Sequence, residues 1–224
     1  IRDRDNVEYI DDNNLELDNF LNIMEQTTEP IKTSCPSPYD YLSVIEENLD
    51  KEIFIVTISS KLSGSYNSAK VAENEAKEKY KDLKITVIDS KSASAGQTMI
   101  VLKLLKLLEN NDFKSAEEKI TNIVDNSCTM FVLESMHNLI KNGRIKKTAG
   151  LIANVLNIKP VMMSNDGEIE LFEINRGIKK SLDKMANAIG EISKKTKFDL
   201  ITISYTKNKE RADKLKDKID ELYE

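Results

Sequence analysis

Two short apolar runs constrain this chain more than any other feature: "EIFIVTIS" over 52–59 and "KITVIDS" over 84–90. Each is a continuous β-branched and aromatic stretch, the pattern of a strand covered on both faces. The 64–80 segment between them is charged with alanines at helical spacing, so the three pieces predict a parallel, right-handed βαβ unit. The chain therefore starts as an α/β protein. Its 224 residues, 40% of them hydrophobic, are enough for one large core or two modest ones.

The texture changes along the chain. A helix is predicted over 15–26, where apolar residues fall at 15, 17, 20, 21, 23 and 24. The proline-rich stretch 27–41 reads as a loop, ending where Ser37 caps a helix that begins at Pro38. Helices follow near 94–109 and 114–125. "CTMFVLES" (128–135) reads as a strand, followed by a helix ending at Gly143 and another near 147–156. Asp166-Gly167, between two alternating runs, signals a hairpin. A helix over 177–195, a strand "FDLITIS" (198–204) and a charged helix close the chain. A parallel α/β part before an antiparallel hairpin predicts two domains, 1–126 and 127–224.

Charge and composition narrow the function classes. Thirty-three basic and 38 acidic residues are mixed along the chain, for a net charge of −5. No basic face for nucleic acid is expected. Two cysteines and one histidine fall short of a structural zinc site, and no metal or cofactor is expected. No apolar run approaches the ~20 residues of a membrane span, and a cytoplasmic setting is the simplest expectation. The opening "IRDRDNVEYIDD" has neither a Met nor a strand, so the sequence is expected to be part of a longer one.

Chemistry concentrates in three places. "ISSKLSGSYNSA" (58–69) puts five serines and a glycine at a strand-to-helix junction. Ser59, Ser60 and Ser63 would stand at the carboxyl end of a parallel strand, where open α/β sheets bind ligands. Gly64 would let the backbone approach closely, and the helix start offers free N–H groups. The stretch matches neither common phosphate-binding glycine motif. It reads equally as an N-capped turn or as an anion cradle. In "TSCPSP" (33–38), the residues before the two prolines are held extended, giving Thr33, Ser34 and Ser37 set directions. Cys35 with His137 has no support as a catalytic pair, because His137 sits on a predicted helix. Arg144 and Arg176 stand at element ends beside Gly143 and Gly177, suited to a carboxylate, a phosphate or a partner, or to ordinary surface charge.

Taken in order, these stretches resemble the DegV family of bacterial fatty-acid-binding proteins. "PIKTSCPSP" resembles its Thr-Ser-Gln-Pro-Ser loop, and "ISSKLSGSYNSA" its Ser-Ser-x-Leu-Ser-Gly-Thr segment. "VIDSKSASAGQ", "LIKNGRIKKTAGLIANVLNIKPV" and "DGEIELFEINRGIKK" resemble its later segments. The resemblance implies two α/β domains around an apolar tunnel that holds one long-chain fatty acid. It implies a carrier subunit, not an enzyme, that presents the acid to a separate fatty acid kinase, feeding acyl phosphate into phospholipid synthesis. It places Thr33 and Ser63 on the carboxylate, Ser34 and Ser60 near it, and Arg144 and Arg176 where the kinase docks. Peripheral membrane contact for lipid exchange would follow. The family's first strand and its C-terminal histidine-bearing stretch have no counterpart here, and Cys35 stands where glutamine is usual.

A ~16-carbon chain buried at ~0.8 kcal/mol per methylene gains on the order of 12 kcal/mol gross. Association costs remove much of that, and a bare buried carboxylate would lose several kcal/mol more without donors. "GLIANVLNI" (150–158) and "VLKLLKLL" (101–108) could wall a tunnel or be ordinary core. The alternative is an α/β enzyme acting on a small phosphorylated or acyl metabolite at the serine-rich loop; it needs a base or a metal, and the candidates Asp40 and Asp89 read no better than surface or capping acids. A third reading, a protein-interaction module, would put no ligand in the cradle.

Overall fold

The computed structural model describes residues 1, 7–27, 31–145, 157–194 and 198–223. Helix α1 (Leu17–Gln26) comes first, then α2 (Pro38–Glu46). The start of α2 follows from its sequence. Ser37 Oγ accepts from the Asp40 N–H, the Asp40 carboxylate accepts from the Ser37 N–H at 2.7 Å, and Pro38 occupies the first turn. This reciprocal capping satisfies two N–H groups that a helix start otherwise leaves free.

Strand β1 (Ile53–Thr57), helix α3 (Ser65–Lys79) and β2 (Ile85–Asp89) form the expected unit, with β1 and β2 parallel from Ile53 opposite Ile85 to Thr57 opposite Asp89. Ala69, Ala72 and Ala76 lie on the buried stripe of α3, and their small side chains bring the helix close to α2 and β2. Glu73 on α3 is also buried, held by Lys70 and, at 2.7 Å, by Lys77. The strands differ in cover. Ile85–Ile88 are buried, but Ile53–Val56 are only half-buried, because α3 lies mainly over β2. Helices α4 (Ala95–Leu108) and α5 (Phe113–Asp125) complete this part, joining Ile88, Ile100, Leu104, Ala116, Ile120 and Val124 in one core.

The second sheet is antiparallel, in the order β3 (Met130–Phe131), β4 (Val161–Asn165), β5 (Glu168–Glu173). Asp166 (φ 47°) and Gly167 (φ 84°) make the two-residue turn that the Asp-Gly pair predicts. Helix α6 (His137–Lys141) precedes β4, and α7 (Ile178–Ser193) and α8 (Lys209–Tyr223) follow β5, pairing around Ala186, Leu215 and Ile219.

Two strand expectations change. Of 128–135 only Met130 and Phe131 pair with β4, since the chain then turns toward α6. The stretch 198–204 is not a strand. Its apolar alternation needs a sheet edge to accept its backbone groups, and its described contacts are with helices instead. Thr202 Oγ1 donates to the Ala95 carbonyl at 2.8 Å, Ser204 Oγ meets Ser94 Oγ at 2.8 Å, and Ile203 packs between α7 and α8. The helix expected near 147–156 lies outside the described residues.

Candidate ligand site

Parallel pairing puts the carboxyl ends of β1 and β2 side by side, and the loops leaving them form the polar end of the site. Asp89 ties the two loops together: its Oδ1 accepts from the Ser60 N–H at 3.2 Å and the Lys91 N–H at 2.9 Å. Ser59 is fully buried, with its N–H on the Ser92 carbonyl at 2.8 Å and its hydroxyl donating to the Gly167 carbonyl at 2.8 Å. The hairpin turn is fastened further by Ser164 Oγ, which donates to the Lys91 carbonyl, and by Lys91 Nζ, 2.7 Å from Asp166 and 2.9 Å from Asp125. These carboxylates hold the Lys91 ammonium firmly charged, Asp166 being the larger cause.

The N-cap of α3 is Gly64, without a side-chain cap, and Ser63 just before it serves the first turn while keeping capacity to spare. Its hydroxyl oxygen accepts from the Ser65 N–H at 3.2 Å and lies 2.9 Å from Ser65 Oγ. A hydroxyl has two acceptor sites and one donor, so an outward hydrogen bond is still open to it. Ser60 is half-buried, and Thr33 and Ser34 are exposed on the loop before α2.

One turn draws these loops together. After α6 and its C-cap Asn142 the chain turns at Gly143 (φ 69°), where Gly143 N–H bonds the Ile140 carbonyl and Arg144 N–H the Leu139 carbonyl. The turn sends Asn142 Nδ2 to the Ile31 carbonyl at 3.0 Å. Arg144 Nε reaches the Leu62 carbonyl at 3.0 Å, and Arg144 Nη2 reaches Thr33 Oγ1 at 3.3 Å. Thr33, Arg144 and the Ser60–Ser63 loop are therefore neighbours. Arg176 is exposed beyond β5, with its backbone bridged to Ile158.

A cavity of about 1550 Å³ adjoins this turn. Small-molecule sites typically hold roughly 300–1,000 Å³. Its wall is mainly apolar and drawn from both halves of the chain, including Met24, Met99, Phe131, Leu182, Met185 and Leu215. Arg144 and Leu62 belong to the wall, whereas Thr33, Ser34, Ser60 and Ser63 do not; they adjoin it through those two residues. Helix α4 faces the cavity with Ala95, Gly96, Met99 and Lys103, so that Lys103 is the one residue of its "VLKLLKLL" run on the wall. Of that run Leu104 is core, and Val101, Leu102 and Leu105 are exposed. Most of "GLIANVLNI" lies outside the described residues.

Sequence reasoning missed several of these residues. Cys128 carries no motif, Asn142 and Ser92 sit in matching stretches that give them no role of their own, and Asp166-Gly167 signals a turn without saying what the turn touches. Ser92 Oγ meets Thr129 Oγ1 at 2.6 Å beside Gly96, where any side chain would collide with both hydroxyls. Cys128 lines the cavity, and burial pushes its thiol pKa up. His137 is exposed at the start of α6 and also on the wall. The residues considered as a base are already engaged. Asp40 is held below the usual carboxylate range by its Ser37 capping bonds, and Asp89 binds two backbone N–H groups.

Comparison with known proteins agrees with this architecture. The sequence profile described as "uncharacterised protein, DegV family" matches residues 3–224. A DegV domain-containing protein of Streptococcus pneumoniae is 42% identical over 176 residues, which are 78% of this chain and 62% of that protein's length. The chain thus matches less than two thirds of that relative. Another, from Streptococcus pyogenes, is 34% identical over 216 residues, 95% of this chain and 75% of its own. Among solved structures, the Streptococcus pneumoniae fatty acid kinase (Fak) B3 protein loaded with linoleic acid superposes at a TM-score of 0.85. It has 34% identity, over 96% of this chain and 76% of that one. A DegV family protein from Ruminococcus gnavus with vaccenic acid gives 0.83 at 34% identity, covering 97% and 78%. One from Eubacterium eligens with heptadecanoic acid gives 0.84 at 30%, covering 98% and 79%. With its parallel βαβ unit, its antiparallel hairpin sheet and a family profile spanning residues 3–224, the chain belongs to the DegV family.

Proposed function

We propose that this protein is a fatty-acid carrier. It binds one long-chain fatty acid in the cavity and presents the carboxylate to a partner kinase, which forms the acyl phosphate used in phospholipid synthesis. The observation that carries the reading is the apolar cavity of about 1550 Å³ whose wall reaches Leu62 and Arg144, beside the two hydroxyl-bearing loops. An apolar volume next to a small group of neutral donors matches a ligand with a long tail and one anionic head, because a buried carboxylate needs hydrogen-bond donors. The fatty acids held by the solved relatives support the same ligand class. The name of the Fak B3 protein supports a kinase as the partner.

In this reading Thr33 and Ser63 donate to the carboxylate, with Ser34 and Ser60 near it. Arg144 and Arg176 serve kinase docking, and the protein itself performs no chemistry. Residues 1–126 and 127–224 act as two lobes that share the cavity. The carrier works in the cytoplasm and touches the membrane only peripherally, to exchange lipid. Titration with oleic acid followed by native mass spectrometry tests it. One bound acid per chain is expected, displaceable by other C16–C18 acids. No binding of any of them would overturn the reading.

A further inference from the structure

We infer that Arg144 is a positioning residue for the ligand's head group, acting through Thr33. This inference rests on the carrier reading, and it adds a ligand-side role to a residue otherwise considered for docking.

The argument is one of donors and acceptors. A guanidinium has five N–H donors and no acceptor, whereas a threonine hydroxyl has one donor and two acceptor sites. With Arg144 Nη2 on Thr33 Oγ1 at 3.3 Å, the threonine oxygen must accept, and its own proton is left to point elsewhere. A carboxylate accepts only, so a hydroxyl whose proton is free is the partner it needs. The positive charge on the oxygen's other side also polarises that O–H, strengthening its next hydrogen bond.

The same guanidinium fixes the second loop. Arg144 Nε on the Leu62 carbonyl at 3.0 Å holds the backbone between Ser60 and Ser63, while Asn142 holds the Ile31 carbonyl two residues before Thr33. Thr33 lies on an exposed loop without regular structure, so its direction depends on these anchors. Arg144 is half-buried on the cavity wall, where its charge is screened less than on an open surface. Lysine would keep the charge but could not span both acceptors with a planar fork.

The test compares oleic acid with its methyl ester, which has the same tail and no carboxylate, on the full-length protein. Wild type is expected to prefer the free acid. In Arg144→Met that preference falls about tenfold, the size of a hydrogen bond to a charged group, while ester binding stays within about twofold. Thr33→Ala lowers it similarly, and the double variant is no worse than Thr33→Ala alone, because the arginine acts through the threonine. A general loss of packing would weaken acid and ester together, which would overturn the inference. So would an acid preference unchanged in Arg144→Met, or losses that add in the double variant. Should Arg144→Met not fold, Arg144→Lys carries the same comparison, with a smaller loss of preference expected and an unchanged preference again contradicting the inference. Failure of wild type to bind oleic acid at all would instead overturn the carrier reading beneath it.

Discussion

The hydroxyl of Ser59 donates to the carbonyl of Gly167 at 2.8 Å, a buried hydrogen bond between residues 108 positions apart. It fastens the turn of the antiparallel hairpin to the loop leaving the parallel sheet. A Cβ at Gly167 would stand 2.5 Å from Ser59 Oγ, on a backbone with φ +84° that side chains rarely adopt. Gly167→Ala should therefore destabilise the fold by about 1–3 kcal/mol, read as a lower urea midpoint. Ser59→Ala, which leaves the buried carbonyl unpaired, should cost a similar amount. Unchanged midpoints in both would mean the hairpin is not held here.

Thr33→Ala and Ser63→Ala should each weaken fatty-acid retention by roughly 10- to 150-fold, the range for losing one hydrogen bond to a charged group. Stability should change little, since Thr33 is exposed and Ser63 accepts a single N–H of the first turn of α3. Full lipid occupancy in both variants, measured by native mass spectrometry, would remove them from the head-group site.

Met185 on α7 lines the cavity and packs with the α7–α8 core. Met185→Trp adds volume where a tail would lie. The expected result is loss of C18 binding with shorter acids retained, and a melting temperature within a few degrees of wild type. Equal affinity for all chain lengths would place the acyl chain elsewhere.

The two thiols should label at different rates. Cys35 is exposed, whereas Cys128 is half-buried on the cavity wall with its thiol pKa raised by burial. A thiol reacts as its thiolate, so Cys128 should label slowly at neutral pH and faster as pH rises. Added oleic acid should slow Cys128 alone. Equal protection of both, seen by peptide mass mapping, would contradict the assigned cavity wall.

Glu134 is held below its ordinary range by Arg211 first and Lys159 second. A carboxyl with a depressed folded pKa stabilises above its unfolded value and loses that contribution as pH falls through the folded one. The melting temperature should therefore fall as pH drops below about 4.3, and Glu134→Gln should remove part of that dependence. The pair is largely exposed, so its share stays under about 1 kcal/mol. An identical pH profile in the variant would show that the cluster contributes nothing.

Local rules made much of this fold legible. The runs at 52–59 and 84–90, the Ser37-Pro38 helix start and the Asp166-Gly167 turn each depend on neighbours within a few residues, and each is where the sequence pointed. The apolar run at 198–204 misled because alternation reports a half-buried segment, not whether a sheet edge is there to receive it. The site divides the same way. Its serine-rich junction is a sequence motif, but the Arg144–Thr33 and Ser59–Gly167 contacts join residues more than a hundred positions apart. Nor could "VLKLLKLL" reveal which face of α4 meets the cavity, since leucines on three faces leave the choice to packing against α5.

The most direct measurement is to denature the protein as purified, extract it into organic solvent and weigh the extract by mass spectrometry. One equivalent of long-chain fatty acid per chain is the predicted result. An extract free of fatty acid, from protein that also fails to take up added oleic acid, would contradict the carrier function.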